Sequence, residues 1–202
     1  MEITIVRKIR FQIDGSDSPL TITSIATDRF DLLPLAVGHA AEMAVVLADP
    51  ALHAFIGGEP LDEDALRARY ARLAAGSPDP AVSWLNWVIR VRDEGRLAGT
   101  VQATVEHDGP VAEVAWVVGA SWQGRGIATE AARGLVAWLR EAGVRTVVAH
   151  IHPGHAASAA VAAAAGLSPT DVWQDGEIRW TTPPEPRERP ERLTHRPARR
   201  TA

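Results

Sequence analysis

The stretch Glu113-Val-Ala-Trp-Val-Val-Gly-Ala-Ser-Trp-Gln-Gly-Arg-Gly-Ile-Ala-Thr-Glu130 constrains this chain more than any other. A β-rich run ends, a short loop holds glycines at 124 and 126, and a helical pattern starts at once. Glycine lets the backbone adopt positive φ and approach a ligand closely, so that successive N–H groups point in one direction. Together with the unpaired N–H groups of a helix's first turn, such a loop makes a site for a pyrophosphate. Two other phosphate loops do not fit. A Walker loop needs Gly-Lys-Ser/Thr, and a dinucleotide fingerprint needs a third glycine where Thr129 stands and a parallel βαβ unit at its start. On two glycines alone, a helix start that binds nothing fits equally well.

The flanks place the loop in a mixed α/β domain. Thr27 to Pro34 alternates as a half-buried strand does, and a helical stretch from Gly38 to Leu47 stops at Asp49-Pro50. Asp62-Glu-Asp-Ala-Leu66 opens a second helix, its acids set against the helix dipole. Leu66, Tyr70 and Leu73 form its apolar stripe, and Gly76 and Pro78 end it. Three strand-like runs follow, Ser83 to Arg92, Leu97 to Glu106 and Val111 to Val118. The turns between them, Asp93-Glu-Gly95 and Asp108-Gly109, signal antiparallel hairpins. A helix over 126–142 carries Ala128, Ala131, Leu135 and Leu139 on one face and is closed by Gly143. A strand over 146–151, an alanine-rich helix over 156–165 and a hairpin turning at Asp175-Gly176 complete the pattern. The order β-α-α-β-β-β-α-β-α-β-β predicts an α/β fold, a mixed but mainly antiparallel sheet with flanking helices. Residues 1–24 read as an extension or edge hairpin, 25–182 as the domain, and 183–202 as a disordered Pro/Arg-rich tail.

Composition narrows the function. The chain has 202 residues, 46% of them hydrophobic, enough for one domain with a real core. It has no cysteine, which excludes a disulfide scaffold, a thiol nucleophile and a Cys-based zinc site. The segment from Pro183 carries +3, so the rest of the chain carries −7 against a total of −4. An acidic body argues against nucleic acid as its partner. No apolar run is long enough to span a bilayer, and a cytoplasmic protein is expected.

Gln123-Gly-Arg-Gly-Ile-Ala128 fits the Q/R-x-x-G-x-G/A acetyl-CoA signature, and here the chain resembles the GNAT superfamily of N-acetyltransferases. Ala112-Glu-Val-Ala-Trp116 is similar to the family's preceding strand, and Thr129-Glu-Ala-Ala132 to the start of its signature helix. His155-Ala-Ala-Ser158 through Ala165-Gly-Leu167 resembles the later N-x-x-S…G-F segment. Thr27-Asp-Arg-Phe-Asp-Leu-Leu-Pro-Leu35 resembles the opening strand of the RimJ/RimL-like branch. The likeness covers roughly residues 24–182.

The resemblance implies a GNAT fold, acetyl-CoA as co-substrate without a metal, and an amine as acceptor. Backbone groups of Trp116, Val117 and Val118 would pair with the pantetheine arm. Those of Gln123, Gly124, Arg125, Gly126, Ile127 and Ala128, with the Thr129 hydroxyl, would hold the pyrophosphate. The thioester would lie between the strands ending at Val118 and Ile151. A neutral amine is needed for attack, and α-amino and lysine groups have pKa values of about 8 and 10.4. Glu113 matches a strand glutamate used as base in several members; otherwise it is a solvated strand residue opposite a cation.

The family's usual tyrosine, which protonates the departing thiolate, is missing from Ala-Ala-Ser-Ala-Ala-Val-Ala-Ala-Ala-Ala165, and Tyr70 is the only tyrosine of the chain. Ser158 matches the serine proposed for this role in the RimL-like branch; otherwise it is a helix-start cap. His155 stands where the family usually has asparagine, within reach of pantetheine or Ser158. His150 and His152 share one strand face, but no carboxylate or cysteine accompanies them in sequence, so a metal cluster is not expected. Trp84 and Asn86 share a strand face that would line the acceptor cleft, and the loop from Phe55-Ile-Gly-Gly58 to Leu61 would form one of its walls. Most of the seven tryptophans read as core. The acceptor is expected to be a protein N-terminus or a small-molecule amine, and a homodimer is left open. The rival reading is a module that binds acetyl-CoA without turnover.

Overall fold

The computed structural model describes residues 20–183 apart from Pro110, and the side chain of Ile56 is also left out. Most of the expected N-terminal extension, residues 1–19, and the expected tail from residue 184 lie outside the described residues.

Eight strands form one sheet: β1 Ile25–Ala26, β2 Phe30–Pro34, β3 Val82–Val91, β4 Arg96–Glu106, β5 Val111–Val118, β6 Thr146–Ile151, β7 Ser168–Gln174 and β8 Glu177–Thr181. Their order is β1-β2-β3-β4-β5-β6-β8-β7. All neighbours run antiparallel except β5 and β6, which pair in parallel. Among the described residues, five α-helices flank the sheet: α1 Ala40–Val46, α2 His53–Ile56, α3 Glu63–Ala75, α4 Ile127–Glu141 and α5 Ala156–Ala164. This is the mixed, mainly antiparallel α/β architecture that the pattern predicts.

Local chemistry explains the element ends. The Asp62 side chain accepts the Ala65 N–H at 2.8 Å and starts α3, which stops at Gly76. Leu66 and Tyr70 of its apolar stripe are buried. On α4, Ala131, Leu135 and Leu139 are fully buried, joined by Ile127, Ala132 and Val136. Trp138 on the same helix meets Trp87 of β3 edge-on, with ring centroids 5.3 Å apart. At the far end, Thr182 exchanges bonds with Val147 through its own N–H and its hydroxyl.

Two expectations need correction. No strand starts at Thr27. Thr27 to Arg29 is instead the turn of a short β1–β2 hairpin, because the Thr27 N–H and hydroxyl both bond the Phe30 carbonyl. The loop expected at 55–61 begins as helix α2, preceded by a turn over Pro50–Leu52 that the Asp49 carboxylate caps. Most tryptophans do belong to the core as expected, with Trp116, Trp138 and Trp180 packed against it. Trp87 and Trp122 are buried, whereas Trp173 on the edge strand β7 is 57% exposed.

Candidate active site

The parallel seam between β5 and β6 is short. Pairing runs from Val111 opposite Thr146 to Glu113 opposite Val148 and then ends. Beyond it, β5 stays bonded to β4 as far as Val118 opposite Gly99, while β6 turns its bonds to β8. The strands therefore splay, and Trp116 to Val118 keep one edge without a strand partner. Gly99 makes the other edge close: a Cβ there would lie 2.2 Å from the Val117 carbonyl oxygen.

The loop after β5 runs from Val118 through a short turn at Ala120–Trp122 to the start of α4. Gln123 fixes it to the strand end by donating its side-chain amide to the Val118 carbonyl at 3.1 Å. Gly124 and Gly126 both have φ of +74°, in the left-handed region, and Gly126 is the residue before α4. Among the described residues, the N–H groups from Gly124 through Thr129 donate to nothing in the protein, and the loop is exposed. The Thr129 hydroxyl has no partner there either. A run of free donors at a helix N-terminus is what a pyrophosphate requires. The Arg125 side chain turns away, lying 4.8 Å from the Trp122 ring centre and pairing with Glu94.

Sequence reasoning missed the clamp that holds this loop. Glu130 accepts from the Arg29 N–H at 2.7 Å, the Arg29 Nε at 2.8 Å and the Thr27 hydroxyl at 2.7 Å. Arg29 also donates to the Arg125 carbonyl at 3.1 Å. Burial pushes the Glu130 carboxyl up, but these donors outweigh it and hold the group below its usual range. An open cleft of about 530 Å³, lined by Thr27, Arg29, Gly126, Thr129 and Arg133, lies along this end of α4.

Glu113 sits where the seam ends. In register it faces Thr104 on β4, which faces Trp84 on β3, so three strands put Trp84, Thr104 and Glu113 in one row. Two positions along, on the same face, Asn86 shares a row with Gln102 and Ala115. Asn86 is only 8% exposed, and with Trp84 it lines a cleft of about 450 Å³ that reaches Leu35, Leu73 and Pro80. Glu113 also meets an imidazole that sequence spacing hid: His150 Nδ1 lies 3.2 Å from its Oε1. A carboxylate thus does accompany His150, brought from a neighbouring strand. Among the described residues, no three potential ligands converge on a metal position. Burial raises the carboxyls of Glu106 and Glu177, and Glu113 pushes both the same way.

His155 and Ser158 are adjacent at the start of α5. His155, not Ser158, caps the helix, since its Nδ1 accepts the Ser158 N–H at 3.4 Å. Burial, helped by His152, keeps the imidazole below its usual pKa, as an accepting nitrogen requires. Its ring stacks on Phe55 of α2, centroids 4.2 Å apart. Tyr70 lies far from solvent in α3, its hydroxyl without a partner among the described residues and pushed by burial to about 12.

Residues 29–168 match the family described as the acetyltransferase (GNAT) domain. The chain belongs to the GNAT acetyltransferase family. GNAT acetyltransferases use acetyl-CoA, and the free N–H groups from Gly124 to Thr129 and the splayed strands are a chemical fit to its pyrophosphate and arm. No curated protein sequence matches the chain. Among solved structures, RimL, the ribosomal L7/L12 alpha-N-protein acetyltransferase in complex with coenzyme A, is 16% identical with a TM-score of 0.66, over 79% of this chain and 97% of that one. The microcin C7 self-immunity acetyltransferase MccE, in complex with acetyl-CoA and AMP, is 18% identical with a TM-score of 0.61, over 77% and 92%. A chimera of the spermidine N-acetyltransferase SpeG from Vibrio cholerae with hSSAT is 14% identical with a TM-score of 0.63, over 77% and 95%. At these identities the likeness concerns the fold alone. No helix among the described residues is long and apolar enough to cross a membrane.

Proposed function

We propose that this GNAT chain transfers the acetyl group of acetyl-CoA to a primary amine by direct attack, without a covalent enzyme intermediate. The observation that carries this reading is the end of the β5–β6 seam: the free N–H groups of Gly124 to Thr129 lie past one end of β5 and Glu113 lies at the point of splaying. Acetyl-CoA supplies a thioester carbonyl to the amine. Backbone groups of Trp116, Val117 and Val118 pair with its pantetheine arm, and those of Gln123 to Ala128, with the Thr129 hydroxyl, hold its pyrophosphate. The His155 Nδ1 is taken by the Ser158 N–H, so its Nε2–H remains to donate to the arm.

Glu113 takes the proton that the amine loses, and at 39% side-chain exposure it is open to solvent. Ser158, whose hydroxyl bonds nothing among the described residues, returns a proton to the departing thiolate. Trp84 and Asn86 line the acceptor side. The acceptor is a protein N-terminus or a small-molecule amine; the names of RimL and SpeG support both, and the opening-strand likeness favours the RimJ/RimL branch. The protein works in the cytoplasm.

Thiol release from acetyl-CoA against short peptides, polyamines, aminoglycosides and amino acids tests this. Acceptor-dependent release is the expected result. A second reading, acetyl-CoA binding without turnover, is favoured by the missing tyrosine in α5. Tight binding with no release for any acceptor would establish it.

A further inference from the structure

His150 belongs to the splayed part of β6, two residues past the last pair with β5, yet its ring reaches back to the carboxylate at the seam. Its side chain is 10% exposed, against 39% for Glu113. An ionised carboxylate only accepts, so the nitrogen facing it, Nδ1, must carry the proton. The contact therefore fixes two things together. One oxygen of Glu113 is held, leaving Oε2 without a partner among the described residues, and the neutral imidazole is held with its proton on Nδ1.

The charged surroundings are mostly acidic. On β4 stands Glu106, with Asp108 in the turn after it; His152 directly follows β6; on β8 stand Glu177 and, opposite His150, Arg179; Asp175 lies in the β7–β8 turn. A neutral donor at this point satisfies Glu113 without adding a permanent charge.

We propose that His150 is the positioning residue of the transfer: its Nδ1–H holds Glu113 Oε1 so that Oε2 meets the acceptor amine, and the pair sets the pH dependence of the reaction. This rests on Glu113 being the proton acceptor. The amine nitrogen's electron pair forms the C–N bond, the C–S bond breaks to release the thiolate, and the amine proton passes to Glu113 Oε2. The His150 N–H stays intact throughout.

Nitrogen-15 histidine NMR on the full chain tests the pairing without any need for turnover. In the wild type, neutral His150 should be the Nδ1–H tautomer. In E113Q it should shift toward Nε2–H, with its acid dissociation constant rising about 10-fold. Kinetics tests the role. H150F should lower kcat about 10- to 100-fold with an unchanged KM for acetyl-CoA, and move the acid limb of kcat/KM to higher pH. H150N should recover most of kcat, because its amide can donate from nearly the same place as Nδ1. A His150 titration indifferent to E113Q overturns the pairing. An active wild type whose kcat and acid limb are unchanged in H150F overturns the role. Absence of any wild-type turnover instead sinks the acetyl-transfer reading, and the NMR result still decides the pair.

Discussion

Arg29 grips Glu130 at both carboxylate oxygens, with its backbone N–H on one and its guanidinium on the other. The grip ties the β1–β2 turn to the first turn of α4, beside the loop read here as the pyrophosphate site. Glu130→Ala should lower stability by about 2 kcal/mol, the usual cost of stranding charge-assisted hydrogen bonds. The folded-state pKa of Glu130 is depressed, so its contribution is present above the unfolded value and is lost as pH falls through the folded value. Melting temperature below about pH 4.5 should therefore fall more steeply in the wild type than in Glu130→Gln.

Gly126→Ala should weaken acetyl-CoA binding at least about 10-fold by calorimetry and cost about 1 kcal/mol of stability, because its φ of +74° is unfavourable for any residue with a Cβ. Its Cβ would also meet an Arg29 guanidinium nitrogen at 3.3 Å. Normal affinity in this variant would remove the loop from the cofactor site.

Glu113→Gln should lower kcat about 100-fold while acetyl-CoA affinity is unchanged, since the group acts on the amine's proton and not on the arm. Equal turnover in the variant would exclude Glu113 as the proton acceptor.

Among the described residues, three histidines act as backbone acceptors, one of them His152, which takes the Gly154 N–H at 3.0 Å. His39 takes the Ala36 N–H at 3.1 Å, His155 takes that of Ser158, and burial lowers both. A base with a depressed folded pKa stabilises above its unfolded value, about 6.5, and that contribution is lost as pH falls through the folded value. Melting temperature should drop as pH falls below about 6.5. In His155→Asn, which keeps a cap and loses the titration, the drop should be smaller.

Gly99→Ala should lower the melting temperature by about 5 °C, because the new methyl group meets the Val117 backbone and must push β5 off β4. An unchanged melting temperature would show that β5 yields freely there.

The order of elements was legible because its signals are local. Asp/Gly turns mark the meander, and the 3.6-residue stripe of Leu135 and Leu139 marks α4. What stayed hidden depends on register or on distant partners. That Trp84, Thr104 and Glu113 share a row follows only once two strand pairings are known. Arg29 and Glu130 meet across 101 positions, and His150 finds its carboxylate on another strand. The Thr27 turn reads as strand because alternation continues through it, although a threonine three residues before Phe30 is the available cue.

The short β5–β6 seam has a mechanical meaning as well. Among the described residues, three pairs join a block of five strands to a block of three. A slot in a sheet exists only where hydrogen bonds have been left out, so the joint beneath it is the thinnest part of the wall. Amides along that joint should exchange with solvent sooner than those of β3 and β4, and a filled slot should slow them by bridging the two blocks from above.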